Sequence, residues 1–285
     1  MLSILIVNWN TKTFLDACLT SLRHHPGAHA VEVIVVDNAS TDGSADLVRT
    51  QFPEVKLIAS ETNTGYARGN NLAYQAATGD LILTLNPDTE VYEDTLDIAI
   101  AKMAEHPEIG ALGARQIHSS GETQSSVRGF PTAWGIVGDI TGLAQAFPWG
   151  KLGSYRLSAF DYEKELLAPQ PMGTFLLFRR EALNQVLTPN GPYDEEFPIF
   201  FNEVDLLYRL KQKGWNALYS PEVRILHHGG EGTKQVRKNM IWESHRSLVR
   251  YFEKHHRSPW LPLFRGIVLA GAFVRARGVY AGFRP

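Results

Sequence analysis

The stretch Leu81–Glu90, "LILTLNPDTE", decides the reading of the fold. Leu81 to Leu85 is an apolar run without polar alternation, the pattern of a strand covered on both faces. Asn86-Pro87-Asp88 stops it. Pro87 cannot donate to a ladder and fixes its own φ, so Asp88 is expected at the C-terminal end of the strand. Open α/β sheets bind their ligands at that end.

The same unit recurs on either side. "SILIVNW", "VEVIVVD" (Val31–Asp37), "VKLIAS" and "IGALGARQI" read as further strands. Thr11–His24 has helical spacing, with Phe14, Cys18, Leu19 and Leu22 on one face. "STDGSADLVRTQF" reads as a helix with Asp42 or Ser44 near its start, "TGYARGNNLAYQAATG" as one closed by Gly79, and Thr95–Ala104 as another. Repeated β-α units of about 25–30 residues predict an α/β fold, a mainly parallel sheet with helices on both faces. Ser119–Pro171 is irregular, with scattered Gly, Pro, Trp and Ser, and reads as long loops where specificity often lies. Regularity returns with "GTFLLFRREALNQV" (strand, then helix), "FFNEVDLLYRLKQKG" (helix ending on Gly214), two short strands in "NALYS" and "VRILHHGG", and a long helix Lys234–His256. The expected organisation is one domain over 1–233 and a basic helical extension over 234–285.

Bulk properties exclude several classes. A net charge of −2 argues against a nucleic-acid binder. One cysteine, Cys18, excludes a disulfide framework or cysteine metal cluster and reads as core. "MLSILIVN" reads as a first strand, too short for a signal peptide, and the longest apolar stretch, Gly266–Val274, is too short to span a bilayer and is bracketed by Arg265 and Arg275. The expected location is cytoplasmic. The first turn, "VNWNTKTF", has no GxGxxG, and no GxxxxGK[ST] occurs, so a dinucleotide site and a P-loop are not expected. Charge is uneven: residues 234–285 hold eleven of the 28 Lys and Arg but two of the 30 acidic residues. Basic, apolar and aromatic together, that segment reads either as an interfacial contact with anionic lipid or as a helix packed on the body.

Asn8, Asp37 and Asp88 each fall at a strand end on one edge of the predicted sheet, which suggests a pocket. "DNASTDG" by itself is also an ordinary turn composition.

"ILIVNWN", "VIVVDNASTDGS", "NTGYARGNN", "LTLNPDTE", "GTFLLFRREAL", "PYDEEFPIFFNEVDLLYRL" and "ILHHGGEG" occur in this order. Singly they are weak; together they resemble the family 2 glycosyltransferases of the GT-A fold, in particular bacterial rhamnosyltransferase-like members that build cell-surface polysaccharides. The resemblance covers Met1 to about Lys254.

The resemblance implies roles. Asp37 would accept the ring N–H of a uracil or thymine base, with Asn8 and Trp9 lining the slot; Trp9 also fits simple core packing. Asn63, Gly65 and Asn70 would form the nucleotide-proximal loop. Arg68 would face a phosphate or solvent. Asp88 and His227 would bind a divalent cation, Mg2+ or Mn2+, that bridges the donor diphosphate. Asn86 stands where the family has the first acid of its DxD motif and would contact the ribose or a metal-bound water. Gly232 stands where the family often has a phosphate-contacting Ser. Met172-Gly173-Thr174 would lie by the donor sugar, and Asp194, Glu195 and Glu196 would hold the acceptor or serve as surface charge.

For the base, Asn202-Glu203-Val204-Asp205 replaces the family's Glu-Asp-x-Asp. Ungapped, Glu203 takes the base position and Asp205 the last acid. Asn202 as cap and Asp205 in a capping-box exchange would account for those two without chemistry, which leaves Glu203 as the leading base. The implied partners are a nucleotide-diphosphate sugar, with dTDP-rhamnose first and a UDP-hexose second, and a lipid-linked or glycan acceptor, the protein seated peripherally on the inner face of the plasma membrane. Two rival readings stand beside it: a nucleotidyltransferase, which would carry a Gly-rich basic loop after strand one, where "NWNTKTF" has no Gly, and a non-catalytic nucleotide-sugar or glycan-binding relative, suggested by Asn86 and Asn202.

Overall fold

Strand β1 (Leu2–Asn8) is buried along its whole length, as its unbroken apolar run requires. It lies between two parallel neighbours, β2 (Val31–Asp37) and β4 (Leu81–Leu85), and β3 (Lys56–Ala59) extends the same parallel set beyond β2. The computed structural model describes residues 1–229 and 237–277. The boundary expected at 233/234, the start of the long helix, Gly232 and Arg284 lie outside them.

The second half of the sheet is mixed. Strand β10 (Phe175–Arg179) inserts antiparallel between β4 and β6 (Ile109–Ile117), and β11 (Asn216–His227) runs parallel to β6. A three-residue strand, β5 (Thr89–Val91), closes the edge antiparallel to β11. The order is β3-β2-β1-β4-β10-β6-β11-β5. Two sequence expectations change here. "NALYS" and "VRILH" form one strand, continuous through an irregularity between Ser220 and Arg224, where Pro221 cannot donate to a ladder. Helix α3 (Tyr66–Ala76) ends before Gly79. Gly79 instead lets β1 pass, since a Cβ there would sit 2.7 Å from the Met1 carbonyl oxygen.

Alternation along each strand divides the core. Leu2, Ile4, Ile6, Leu83 and Leu85 face α1 (Lys12–His24), α2 (Ser44–Gln51) and α4 (Thr95–Glu105), with Cys18 fully buried among them. Leu5, Val7, Ile34, Val36 and Ile82 face α3, α7 (Arg180–Asn184) and α8 (Asn202–Gln212). The irregular middle contains β7 (Val127–Arg128), α5 (Ala133–Thr141), α6 (Leu143–Ala146), β8 (Leu166–Leu167) and β9 (Gln170–Pro171). Two helices follow the sheet, α9 (Arg237–His255) and α10 (Leu261–Ala276). Leu248, Tyr251 and Phe252 of α9 and Val268 of α10 share a buried cluster with Ile136 of α5 and Phe201 and Val204 at the start of α8. Burying side chains of this size is worth about 1.5–3 kcal/mol each, so the described part of the extension is fastened to the body.

Candidate active site

Strand register assembles the donor edge. Asn8 is the register partner of Asp37, so the last residues of β1 and β2 lie side by side. The Asn8 amide donates to Asp37 Oδ1 at 2.9 Å, and the Ser40 backbone N–H donates to Asp37 Oδ2 at 3.0 Å. The Thr11 hydroxyl donates to Asn8 Oδ1 at 2.7 Å, which fixes the orientation of that amide. Asp37 is thus buried and braced, while Trp9 is half-buried at the rim.

The second wall is the start of α3. The Asn63 side chain accepts from the Gly65 N–H at 3.0 Å, and the Gly65 carbonyl accepts from the Asn38 amide at 2.9 Å. Gly65 has φ +85°, and a Cβ there would meet the Pro198 carbonyl oxygen at 2.7 Å, so no other residue fits without displacement. Asn70 is fully buried and donates to the Tyr66 carbonyl, while its Oδ1 has no hydrogen-bond partner among the described residues. Arg68 points to solvent.

Strand β5, which the sequence reading missed, brings the two candidate metal ligands together. It begins directly after Asp88 and pairs Thr89 with His227. His227 Nε2 lies 3.7 Å from Asp88 Oδ1, and both side chains are buried. Gln124 grips His227 twice: Oε1 meets the ring Nδ1 at 2.8 Å, and the amide donates to the His227 carbonyl at 2.8 Å. This is the outer brace that orients a histidine ligand. The neighbouring His228 turns away to Glu90 at 2.8 Å and Phe14. No group of three or more His, Cys, Asp or Glu positioned for a metal occurs among the described residues. One carboxylate and one imidazole do fit a divalent cation that takes its other ligands from phosphate and water.

Strand β10 carries the third wall. Its pairing of Phe175 with Leu85 sets the Gly173 loop beside Asn86, whose N–H donates to the Thr174 carbonyl at 2.9 Å. The Glu203 side chain lies against the Gly173 loop, where a Cβ on Gly173 would meet its Cγ at 3.4 Å, an ordinary contact. The Tyr66 hydroxyl donates to the Gly173 carbonyl at 3.4 Å. Burial, then the Glu203 carboxylate and more weakly Asp88, push that hydroxyl's pKa far above its ordinary value. Tyr66 is thus within electrostatic reach of both Glu203 and Asp88.

Two carboxylates on the first turn of α8 have opposite environments. Burial raises the Glu203 pKa to about 7, and only backbone hydrogen bonds oppose it. For Asp205 burial also raises the pKa, but a hydrogen bond with His255 and the charges of Arg209 and Lys254 bring it down to about 2. Asp205 is fully buried, with Arg209 at 2.8 Å, Lys254 at 2.7 Å and His255 at 2.7 Å. Lys254 also binds Asp194 at 2.5 Å. The capping-box expectation is corrected by this arrangement. The cap position is Phe201, in the left-handed region at φ 65°, and the Asn202 amide donates backwards to the Ile199 carbonyl at 2.7 Å. Of the acids expected near the acceptor, Asp194 is held by Lys254, Glu195 accepts from Asn71 at 3.1 Å, and Glu196 is exposed.

The residues that sequence reasoning missed are Tyr66, Gln124 and Ser40. Tyr66 lies inside the quoted "NTGYARGNN". Gln124 sits in the irregular segment and carries no signal.

Polar strand ends at Asn8 and Asp37, the Asp88–His227 pair and a Glu203 carboxylate of raised pKa are candidate parts of a nucleotide-sugar glycosyltransferase site. The chain belongs to the Glycosyl transferase family 2, which matches residues 3–187. Among particular relatives, it is 26% identical over 281 residues to the N-acetylglucosaminyl-diphospho-decaprenol L-rhamnosyltransferase of Mycobacterium tuberculosis, covering 91% of this chain and 86% of that one. It is 34% identical over 203 residues to a PGL/p-HBAD biosynthesis glycosyltransferase of Mycobacterium bovis, covering 70% of this chain and 65% of that one. In fold it is similar to the mannosyltransferase PcManGT from Pyrobaculum calidifontis in complex with GDP-Man and Mn2+, with TM-score 0.59, 20% identity, and coverage of 100% of this chain and 76% of that one. S. aureus TarS in complex with UDP gives a TM-score of 0.56 at 17% identity, over 96% and 80% of the two chains.

Proposed function

We propose that this glycosyltransferase is inverting and metal-dependent, and that it moves L-rhamnose from dTDP-rhamnose to a hydroxyl of a lipid-linked or polysaccharide acceptor. A UDP-hexose is the second donor. The observation that carries the mechanism is Glu203, half-buried against Gly173 with its pKa raised to about 7. A general base works best with a pKa near the operating pH.

In this reading the Asp37 carboxylate accepts the pyrimidine N–H, and Asn8 holds Asp37 in place. Asn63 and Gly65 shape the loop over the nucleotide. Asp88 and His227 hold the cation, which when bound supplies positive charge to the leaving diphosphate. Glu203 takes the acceptor hydroxyl proton as that oxygen attacks the anomeric carbon from the face opposite the departing diphosphate. Asp205, already paired with Arg209, Lys254 and His255, is a support for α8 in this reading, and the base role stays with Glu203. The M. tuberculosis relative's name supports rhamnose and a lipid-linked acceptor. A peripheral seat on the cytoplasmic face of an anionic membrane, through the C-terminal extension, belongs to the same reading.

The test is nucleotide-diphosphate release across dTDP-, UDP- and GDP-sugars, with Mg2+ or Mn2+ and with chelator. Acceptor would be a membrane-lipid extract, and Asp88→Ala and Glu203→Gln would run beside wild type. Release from one donor that needs the cation and both carboxylates supports the reading. Donor binding unaffected by Glu203→Gln, with no release under any condition, would replace it with the non-catalytic one.

A further inference from the structure

The irregular segment between β7 and β8 carries an outward apolar surface that the proposed reaction does not use. Trp134, Val137 and Ile140 recur every three residues along α5 and are all exposed, while Ile136 between them is buried. Beyond α6, Phe147 and Trp149 continue the exposed surface, Trp149 at 85%. Helix α10 repeats the design: Leu263 is 69% exposed and Ile267 and Phe273 are also exposed, while Val268 and Ala272 are buried. Both helices back onto one cluster, which also contains Phe201 and Val204 beside Glu203.

Charge indicates the occupant. Residues 132–157 and 253–277 together hold seven Lys and Arg and two acids, Asp139 and Glu253, in a chain of net charge −2; Arg265 pairs with Glu253 at 3.4 Å, and Lys254 is taken up by Asp194 and Asp205. Asp139 is itself paired with Arg156 at 2.5 Å. A second copy of the same surface would bring like charges together, which is destabilising. An anionic bilayer offers apolar depth for the aliphatic side chains, an interface for tryptophan, and negative headgroups for arginine and lysine. No described helix is long and apolar enough to cross a membrane.

We infer that α5–α6 and α10 form a two-part seat on an anionic lipid surface, in which the middle segment works with the C-terminal extension. The inference rests on the lipid-linked acceptor of the proposed function. It adds that the helix bearing Glu203 is mounted on the membrane-bound cluster.

The full chain would be co-sedimented with vesicles of phosphatidylcholine alone and of phosphatidylcholine with phosphatidylglycerol. Wild type is expected to bind only the anionic vesicles, less so at high salt. Trp134→Ser with Trp149→Ser, and separately Leu263→Ser with Ile267→Ser, are each expected to weaken binding on the order of tenfold. Melting temperature should stay unchanged, because all four side chains are exposed. Arg257→Glu with Arg265→Glu should abolish the preference for anionic vesicles. Failure of wild type to bind, or binding indifferent to the α5–α6 pair, overturns the inference. So does a vesicle-free dimer that the same substitutions dissociate, which would assign the surface to self-association. Vesicle binding needs neither donor nor turnover, so its failure is distinguishable from failure of the proposed reaction.

Discussion

The two sides of helix α8 carry the same functional group two residues apart and use it in opposite ways. On the side facing Gly173, Glu203 is desolvated with little to offset the cost, and its pKa rises to about 7. On the side facing α9, Asp205 is desolvated as well, yet Arg209, Lys254 and His255 surround it and its pKa falls to about 2. Paired carboxylates pushed apart by their surroundings mark a division of labour. Glu203 is left able to exchange a proton near neutral pH; Asp205 stays charged and binds α9 to α8.

The largest effect that could break this contrast is on turnover. Glu203→Gln is expected to lower kcat by about 10³-fold, within the usual range for removing a general base. Because the base acts when deprotonated, the wild-type rate should rise with pH through about 7. Asp205→Asn should retain that pH profile in whatever enzyme remains folded. Steady-state rates from acid to mildly alkaline pH read both.

Next is the fastening on the other side. Asp205→Ala leaves Arg209, Lys254 and His255 around an empty position, and stability should fall by roughly 3–5 kcal/mol, the cost of breaking a buried pair from one side. Urea denaturation measures it. A loss below 1 kcal/mol would mean that the contrast is electrostatic decoration and not structure. The folded-state pKa of Asp205 lies below its ordinary value, so its contribution is present above about pH 4. It should be lost as pH falls through about 2.

A smaller effect tests the cation site without touching α8. Gln124→Leu removes the brace on His227 and should raise the Mn2+ concentration needed for half-maximal activity by about 10–100-fold, as loss of an outer-shell partner commonly weakens metal affinity. The pH midpoint of the rate should not move. Titration of activity against Mn2+ reads the first, and the pH series reads the second.

The smallest effect is a gain. Glu203 has a folded pKa above its unfolded one, so the folded state holds the extra proton between about pH 4.5 and 7 and loses stability as pH rises across that window. Glu203→Gln removes that cost. It should raise stability at pH 8 by about 1–3 kcal/mol. The gain should vanish near pH 4.5, as thermal melts at the two pH values would show.

Much of the donor side was legible because it is local. β1, β2 and β4 are unbroken apolar runs, and parallel register then sets Asn8 against Asp37 without further information. The opposite side is assembled from distant segments. β5 is three residues, Thr89-Glu90-Val91, too short to show a period, and its partner β11 lies more than a hundred residues later. Asp88 and His227 were both readable as residue types, but not the strand that joins them. Asp205 read as a capping residue because, besides Arg209 four residues on, its partners Lys254 and His255 come from α9. α5 is a short, glycine-bearing helix, and its exposed Trp134 and Trp149 beyond α6 resemble core residues in a linear string.

The three-residue closure by β5 also has a consequence for the order in which the protein becomes complete. The family match ends at residue 187, yet Glu203, His227 and Lys254 all emerge from the ribosome after it. A growing chain can form the nucleotide edge between Asn8 and Asp37 early, but the partner of β5 is the last strand made. In the proposed reading, the residues of the donor edge are made before Glu203 and His227, and competence for transfer waits for α9 to dock on α8.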